Sequence, residues 1–140
     1  MIEKKIEFVN DADASKKLEA SLYLYIDTDN NCLIKLHKDG DAEIIFSAND
    51  FFDSLVKLRN WIYEKEQLLP MCKGALINVY PSRMSRQMSN GMKAYYLTKQ
   101  KQAHTSDIVD IFDLVKVGEE DKLSTPKQQL EYFKKWIKSL

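Results

Sequence analysis

Histidine, cysteine and glycine are scarce in this chain, and each shortage excludes a class of function. The sequence contains two histidines, two cysteines and four glycines. A structural zinc site needs three or four Cys, His or carboxylate ligands at close spacing, and no window offers that set. The glycines form no phosphate-binding loop. Cys32 and Cys72 make no disulfide framework, so we expect free thiols, as in a reducing cytoplasm. The sequence therefore predicts neither a metal site nor a cofactor.

Long apolar runs are also absent. No stretch of about 18 apolar residues and no cleavable leader is present, so we expect a cytoplasmic protein that does not enter a membrane. Apolar residues still make up 44% of the chain and aromatic residues 11%, which is enough for a hydrophobic core. At 140 residues, the length predicts a single domain covering residues 1–140.

Acidic residues are missing from one long segment, residues 67–106, although the chain holds 21 acidic and 21 basic residues. That segment carries six basic residues: Lys73, Arg83, Arg86, Lys93, Lys99 and Lys101. Such an imbalance predicts a surface that meets a negatively charged partner. The sequence pI of about 6.7 argues against generic nucleic-acid coating, for which a pI above about 9 is typical.

The first half of the chain has the alternating pattern of antiparallel strands. Apolar residues alternate with polar ones over residues 20–26, 32–37 and 42–46, and Asp39-Gly40 suits a tight turn between the last two runs. We therefore predict a three-stranded meander, to which residues 4–9 add an edge strand. Tyr23 and Tyr25 lie on the face opposite the core, where a helix could cover them or a partner could bind.

Helical periodicity appears twice. Apolar residues recur every three to four positions over residues 50–66, with Asn49 as the expected N-cap. Thr125, Pro126 and Gln128 form a capping-box start for a helix that runs to the C-terminus. Its apolar stripe is formed by Leu130, Phe133, Ile137 and Leu140. Residues 74–80, 93–98 and 108–114 read as strands. The expected fold class is α+β, with a mainly antiparallel sheet of five to six strands, one central helix and one C-terminal helix.

Residues 81–92 lie between two of these expected strands and contain a short helix signal. Met84 and Met88 form an i,i+4 pair, and Asn90-Gly91 is typical of a helix end, so we expect a helix over residues 83–89. Arg83 and Arg86 would then lie near the N-terminal amides and could bind a carboxylate or phosphate. The alternative is a solvated turn whose methionines are in the core and whose arginines pair with acids of the first half.

The second half resembles small bacterial proteins of poorly defined function. The shared positions are Cys72, Gly74, Val79, Tyr80, Pro81, Ser82, Met84, Arg86, Met88, Gly91, Ala94 and Tyr95, followed by Val109, Phe112, Asp113, Gln128, Phe133, Trp136, Ser139 and Leu140. The resemblance implies a role like that of an immunity protein, which binds and neutralises a toxin domain. The pattern has glycine where Arg83 stands, which favours shared packing over a shared polar site.

An enzyme needs a nucleophile, a base and a charge stabiliser within reach of one another. Cys72 with His104 is the one conceivable thiol and imidazole pair, and Ser82 and Ser85 have no adjacent base. We therefore expect a non-catalytic module that binds a protein partner, with a toxin domain as the most specific candidate. The candidate binding residues are Tyr80, Ser82, Arg83, Ser85, Arg86, Lys93 and Tyr95. The alternative is an anion- or nucleic-acid-binding domain that uses the basic residues 73–101 together with tyrosines as stacking platforms.

Overall fold

The computed structural model describes residues 1–140 and begins with four antiparallel strands. These are β1 (Ile2–Asn10), β2 (Lys17–Ile26), β3 (Cys32–His37) and β4 (Ile44–Ala48). A fifth strand, β5 (Leu68–Pro70), pairs with the end of β1 and gives the order β4-β3-β2-β1-β5. The predicted meander is confirmed. The first strand is not an edge strand along its whole length, because Phe8 and Val9 pair with β5 as well as with β2.

Helix α1 (Phe51–Glu66) covers one face of this sheet and follows it directly. Its apolar residues pack on the alternating side chains of the strands, such as Leu22 and Ile34, which are fully buried. The N-cap is Asp50, whose carboxylate accepts from the Asp53 N–H at 2.8 Å. The expected cap was Asn49, one residue earlier. The helix therefore begins one residue later than expected, and the other carboxylate oxygen of buried Asp50 accepts from Arg86 of the second half.

A smaller sheet forms in the second half. It contains β6 (Val79–Tyr80), β7 (Lys93–Tyr96) and β8 (Ile108–Asp110), and its order is β6-β7-β8. The short helix α2 (Arg83–Met88) connects β6 to β7, and α3 (Pro126–Ser139) ends the chain. The α+β class predicted from the sequence is confirmed, but its strands divide between two sheets. One core cluster of 23 buried residues includes side chains from both sheets and from α1.

The strand expected over residues 74–80 is largely wrong. Residues Lys73–Ala75 form a 3-10 turn, and only Val79 and Tyr80 are in a strand. Ala75 and Leu76 are both fully buried, which breaks the alternation a strand would need. A Cβ on Gly74 would lie 2.8 Å from the Ile111 Cβ, so this turn packs too closely for a larger residue.

Helix α3 begins with the capping box that the sequence predicted. Thr125 Oγ1 accepts from the Gln128 N–H, and the Gln128 side chain accepts from the Thr125 N–H. None of the helices is long and apolar enough to span a membrane.

Candidate functional site

An open groove lies between α3, α2 and the exposed face of β7. Its volume is about 470 Å³, and eight of its eleven lining residues are hydrophobic. The lining residues are Tyr80, Pro81, Ser82, Met84, Tyr95, Leu97, Gln102, Ala103, Phe133, Trp136 and Leu140. A pocket of this size with a mainly apolar lining and a few polar groups is typical of a binding site. We call it the groove below.

A row of aromatic rings forms one wall of the groove. The Tyr80 ring stacks on Phe133 with centroids 4.0 Å apart, and Phe133 stacks on Trp136 at 6.0 Å. The Trp136 indole N–H donates to the carbonyl oxygens of Thr98 and Lys101, each at 3.0 Å. These contacts fix the rings before any partner arrives, so binding would order few additional side chains.

Helix α3 is attached to the body of the protein through a buried polar network. The Gln129 amide donates to the carbonyls of Gly74, Leu76 and Val79 at 2.8 to 2.9 Å. Its Oε1 accepts from Arg59 Nη1 at 2.7 Å. Burial lowers the pKa of Arg59 to about 10, and none of its hydrogen-bond partners is a carboxylate. Gln129 therefore aligns α3 beside β6 through hydrogen bonds to three buried backbone carbonyls.

Because this polar network holds α3, the apolar stripe of the helix stays accessible. Gln129 is the one buried residue of the helix. The exposed fractions of Leu130, Ile137 and Leu140 are 39%, 48% and 55%. An amphipathic helix normally turns its apolar stripe to the core. Across the groove from Phe133 and Trp136, Met84 is 66% exposed, and Met88 in the same helix is 81% exposed; both values contradict the interpretation that placed these methionines in the core. Exposed apolar surface of this extent is typical of an interaction site.

Three of the candidate binding residues line the groove. Tyr80 and Tyr95 contribute aromatic surface, and Ser82 lies beside them as the N-cap of α2. Ser82 Oγ accepts from the Ser85 N–H at 3.0 Å, and the Ser85 hydroxyl donates to the Ser82 carbonyl at 2.9 Å. Ser85 is buried and does not line the groove. The two serines thus begin the helix, and only Ser82 lies where a partner can contact it.

Arg86 is engaged inside the protein. Its Nη1 donates to Asp50 Oδ2 and to Asp53 Oδ1, both at 2.9 Å. The guanidinium lies over the rings of Phe52 and Tyr80, at 5.2 and 5.7 Å. Partial burial works against its charge, but the two carboxylates outweigh burial and raise the pKa of Arg86. With two anionic partners already bound, this guanidinium is a weak site for a further anion.

The other two basic candidates differ from Arg86 and from each other. Arg83 is exposed and takes part in none of the ion pairs, so its charge is free at the edge of the groove. Lys93 is exposed and lies 3.6 Å from Asp110 on the neighbouring strand. An exposed ion pair of this kind is weak, so Lys93 can leave Asp110 to contact another anion. The structure does not bring Arg83, Arg86 and Lys93 together as one cationic cluster around a single anion.

Several of the positions that carry the resemblance perform packing roles. Cys72 and Ala94 are fully buried. Gly91 has φ +74°, and a Cβ there would lie 2.9 Å from Asp50 Cγ. The Asn90 carbonyl also accepts from the Phe51 N–H at 2.7 Å. Asn90 and Gly91 thus join the turn after α2 to the first turn of α1.

Cys72 and His104 do not form a thiol and imidazole pair. Burial raises the pKa of the Cys72 thiol to about 11, although the Arg59 charge acts in the opposite direction. The side chain is inaccessible and makes no hydrogen bond to His104, which is exposed on another segment. A reactive cysteine needs an accessible thiolate, so this environment disfavours nucleophilic chemistry.

Sequence reasoning missed the residues that α3 and the segment after β7 contribute to the groove. These are Leu97, Gln102, Ala103, Phe133, Trp136 and Leu140. The periodicity of α3 identified an apolar stripe but could not show that the core leaves it uncovered. The sequence did contain one signal that this helix is largely exposed: four of its 14 residues are lysines. Comparison with protein-family models and with curated proteins gave no match for this chain.

Proposed function

We propose that this protein is a non-catalytic binding module that recognises a protein partner through the groove. The observation that carries the proposal is the accessible apolar surface around a row of fixed aromatic rings, with Met84 and Leu140 exposed at its margins. Protein interfaces use aromatic side chains as anchors, and methionine adapts its shape to a partner. The proposal places the protein in the cytoplasm.

The most specific form of the proposal is an immunity protein that neutralises a bacterial toxin domain. This form rests on the resemblance of the second half to small bacterial proteins with such a role. The mechanism would be occlusion, in which the groove and its margins cover the active site or entry channel of the toxin. No catalytic residue of the binding module takes part in such a mechanism.

The alternative is an anion- or nucleic-acid-binding domain built on the basic residues 73–101. For this alternative, the exposed and unpaired Arg83 is still able to bind an anion. Most of the tyrosines, however, are not free to stack on bases. Tyr80 is covered by Phe133 and Phe52, and Lys73 Nζ lies over the Tyr96 ring, 5.7 Å from its centroid. Bases stack on exposed ring faces, so Tyr95 alone remains well placed. The contacts favour a protein partner.

An affinity capture from nuclease-treated host lysate tests the proposal. We expect the wild-type protein to retain a stoichiometric protein partner at moderate salt, and the Met84→Ser/Leu140→Ser variant to lose it. Ile45→Ser is the matched control, because Ile45 is 52% exposed on the distant strand β4. Equal capture by the groove variant would overturn the site, and recovery of nucleic acid alone from untreated lysate would favour the alternative.

A further inference from the structure

The side of α3 that faces solvent combines apolar and basic side chains. Leu130 and Ile137 are 39% and 48% exposed. The exposed lysines beside them on the helix are Lys127, Lys134 and Lys138. At about 100° per residue, these five positions fall within an arc of about 100° on the helix surface, and the buried Gln129 lies about 80° to 180° away from them. We call these five residues the outer face of α3.

The outer face of α3 is separate from the groove. Phe133 and Trp136 line the groove and lie outside the arc, on the side toward Gln129. Neither Leu130 nor Ile137 lines the groove. A ligand can therefore contact the outer face without entering the groove, and the two surfaces can be tested separately.

The lysines of the outer face have no counter-charge within the protein. None of the ion pairs includes a lysine of α3. Glu131 is the one acidic residue of the helix, and it makes no ion pair either. Across the cleft between α1 and α3, Asp53 lies near Leu130 and Lys127, but its carboxylate already binds Arg86 at 2.9 Å. The outer face thus presents unpaired positive charge beside exposed apolar side chains.

We propose that the outer face of α3 binds an anionic lipid surface. Helices with lysines beside an apolar strip lie in the plane of a membrane interface, where the apolar side chains contact the boundary between headgroups and acyl chains. Leu130 and Ile137 are two helical turns, or about 10 Å, apart and can enter that boundary together. The lysine stems extend along apolar surface while their ammonium groups reach the negatively charged headgroups.

The composition of α3 favours lipid over an acidic protein. The helix contains four lysines and no arginine. Protein interfaces are enriched in arginine and depleted in lysine, and a carboxylate in a fixed position is held best by a bidentate guanidinium. Lipid headgroups are mobile and offer negative charge without fixed geometry, which suits flexible ammonium groups.

Sedimentation of the 140-residue chain with vesicles tests this inference. The vesicles contain phosphatidylcholine alone, or phosphatidylcholine with about 30% phosphatidylserine, in about 50 mM salt. We expect the wild-type protein to partition about 100-fold more strongly onto the anionic vesicles, because each of three lysines near such a surface contributes about a factor of five. Added salt should reduce this preference.

Two charge variants show whether the outer face is responsible. Lys134→Gln with Lys138→Gln should weaken binding to the anionic vesicles by about 25-fold. Lys5→Gln with Lys16→Gln is the matched control, because it removes the same charge from exposed and unpaired lysines of the first half. The control should bind within about threefold of wild type. Equal losses in the two variants would overturn the inference.

An apolar variant tests the contact with lipid itself. Leu130→Ser with Ile137→Ser should weaken binding to the anionic vesicles at least about fivefold, because less apolar surface enters the interface. Both positions are partly exposed, and thermal unfolding checks that the variant is folded. Unchanged vesicle binding by the folded variant would overturn the inference, since charge alone would then account for the attraction.

Two soluble polyanions distinguish lipid from other partners. Polyglutamate of about 20 residues and a single-stranded oligonucleotide of about 20 nucleotides are added to the anionic vesicles at equal concentration of negative charge. Neither should displace the wild-type protein. Displacement by polyglutamate would indicate an acidic protein as the ligand, displacement by the oligonucleotide would indicate nucleic acid, and either result would overturn the inference.

The remaining outcomes separate this inference from the proposed function. Equal partitioning onto neutral and anionic vesicles, or onto neither, would overturn lipid binding and leave the groove untouched. The Lys134→Gln/Lys138→Gln variant should still capture the protein partner from lysate. Loss of that partner would assign these lysines to the protein interface and overturn the inference.

Discussion

Replacing Arg86 with methionine should destabilise the protein, because this guanidinium joins α2 to the start of α1. The substitution keeps an apolar stem and removes two charged hydrogen bonds of 2.9 Å. Asp53 is 49% exposed and can regain water, so its bond contributes about 0.5 kcal/mol. Asp50 is 8% exposed and would remain desolvated without a partner, which costs about 1.5 to 2 kcal/mol. The contacts with the rings of Phe52 and Tyr80 add about 0.5 kcal/mol.

The total is about 2.5 to 3 kcal/mol, and for a chain of this size it corresponds to a fall in Tm of roughly 6–10 °C. Urea and thermal unfolding followed by circular dichroism measure both quantities. Arg83→Met is the matched control, because Arg83 is exposed and unpaired, and it should change the stability by less than about 0.5 kcal/mol.

A double-mutant cycle assigns the effect to the ion pair. Asp50→Asn removes the carboxylate charge and keeps a good N-cap for α1. The cycle of Asp50→Asn with Arg86→Met should give a coupling energy of about 1 to 2 kcal/mol. If Arg86→Met left the unfolding free energy unchanged, the structural role of Arg86 would be refuted, and its guanidinium would again be a candidate for binding an external anion.

Three further predictions concern the packing that supports the groove. Gln129→Leu should lower the unfolding free energy by about 3 kcal/mol in urea titrations, because Arg59 and three backbone carbonyls each lose one buried hydrogen bond. Gly91→Ala should cost about 2 to 3 kcal/mol by the same measurement, whereas Gly118→Ala, which also has a positive φ but open space around it, should cost about 1 kcal/mol; similar costs would argue against close packing at position 91. Burial and, next, the hydrogen bond from the Tyr96 hydroxyl to Glu119 raise the pKa of Tyr96 to about 12. Its contribution to stability is therefore fully present below about pH 10 and declines as the pH rises toward 12, so the stability advantage of wild type over Tyr96→Phe should shrink between about pH 10 and pH 12.

Local signals predicted the fold well where burial on one face fixed the pattern. The alternation of β2 and β3 and the capping box of α3 each predicted an element that the structure contains. The strand prediction for residues 74–80 failed because several of their backbone groups form hydrogen bonds with residues that are distant in the sequence. Gly74 donates to the Ile111 carbonyl, and Ile77 donates to the Lys122 carbonyl. Neither partner is visible in a local pattern.

The candidate site was only partly predictable for a similar reason. The acid-free segment identified Tyr80, Ser82 and Tyr95, which line the groove. The alternative that the arginines pair with acids of the first half is confirmed for Arg86 and not for Arg83. The sequence could not name Asp50 as the partner, because the two residues lie 36 positions apart. The opposite wall of the groove comes from α3, whose apolar stripe looked like ordinary core surface. Whether such a stripe is covered depends on how the helix docks. Here Gln129 fixes the docking through its buried hydrogen bonds to backbone carbonyls.

Site-specific photo-cross-linking in host cells tests the central claim most directly. A photoreactive phenylalanine analogue placed at Met84 should form a covalent adduct with a discrete protein partner, because this side chain is 66% exposed at the edge of the groove. The same analogue placed at Ile45, which is 52% exposed on β4, should form no such adduct. An adduct at position 45 and none at position 84 would show that the partner binds elsewhere, and would contradict the assignment of the groove as the binding site.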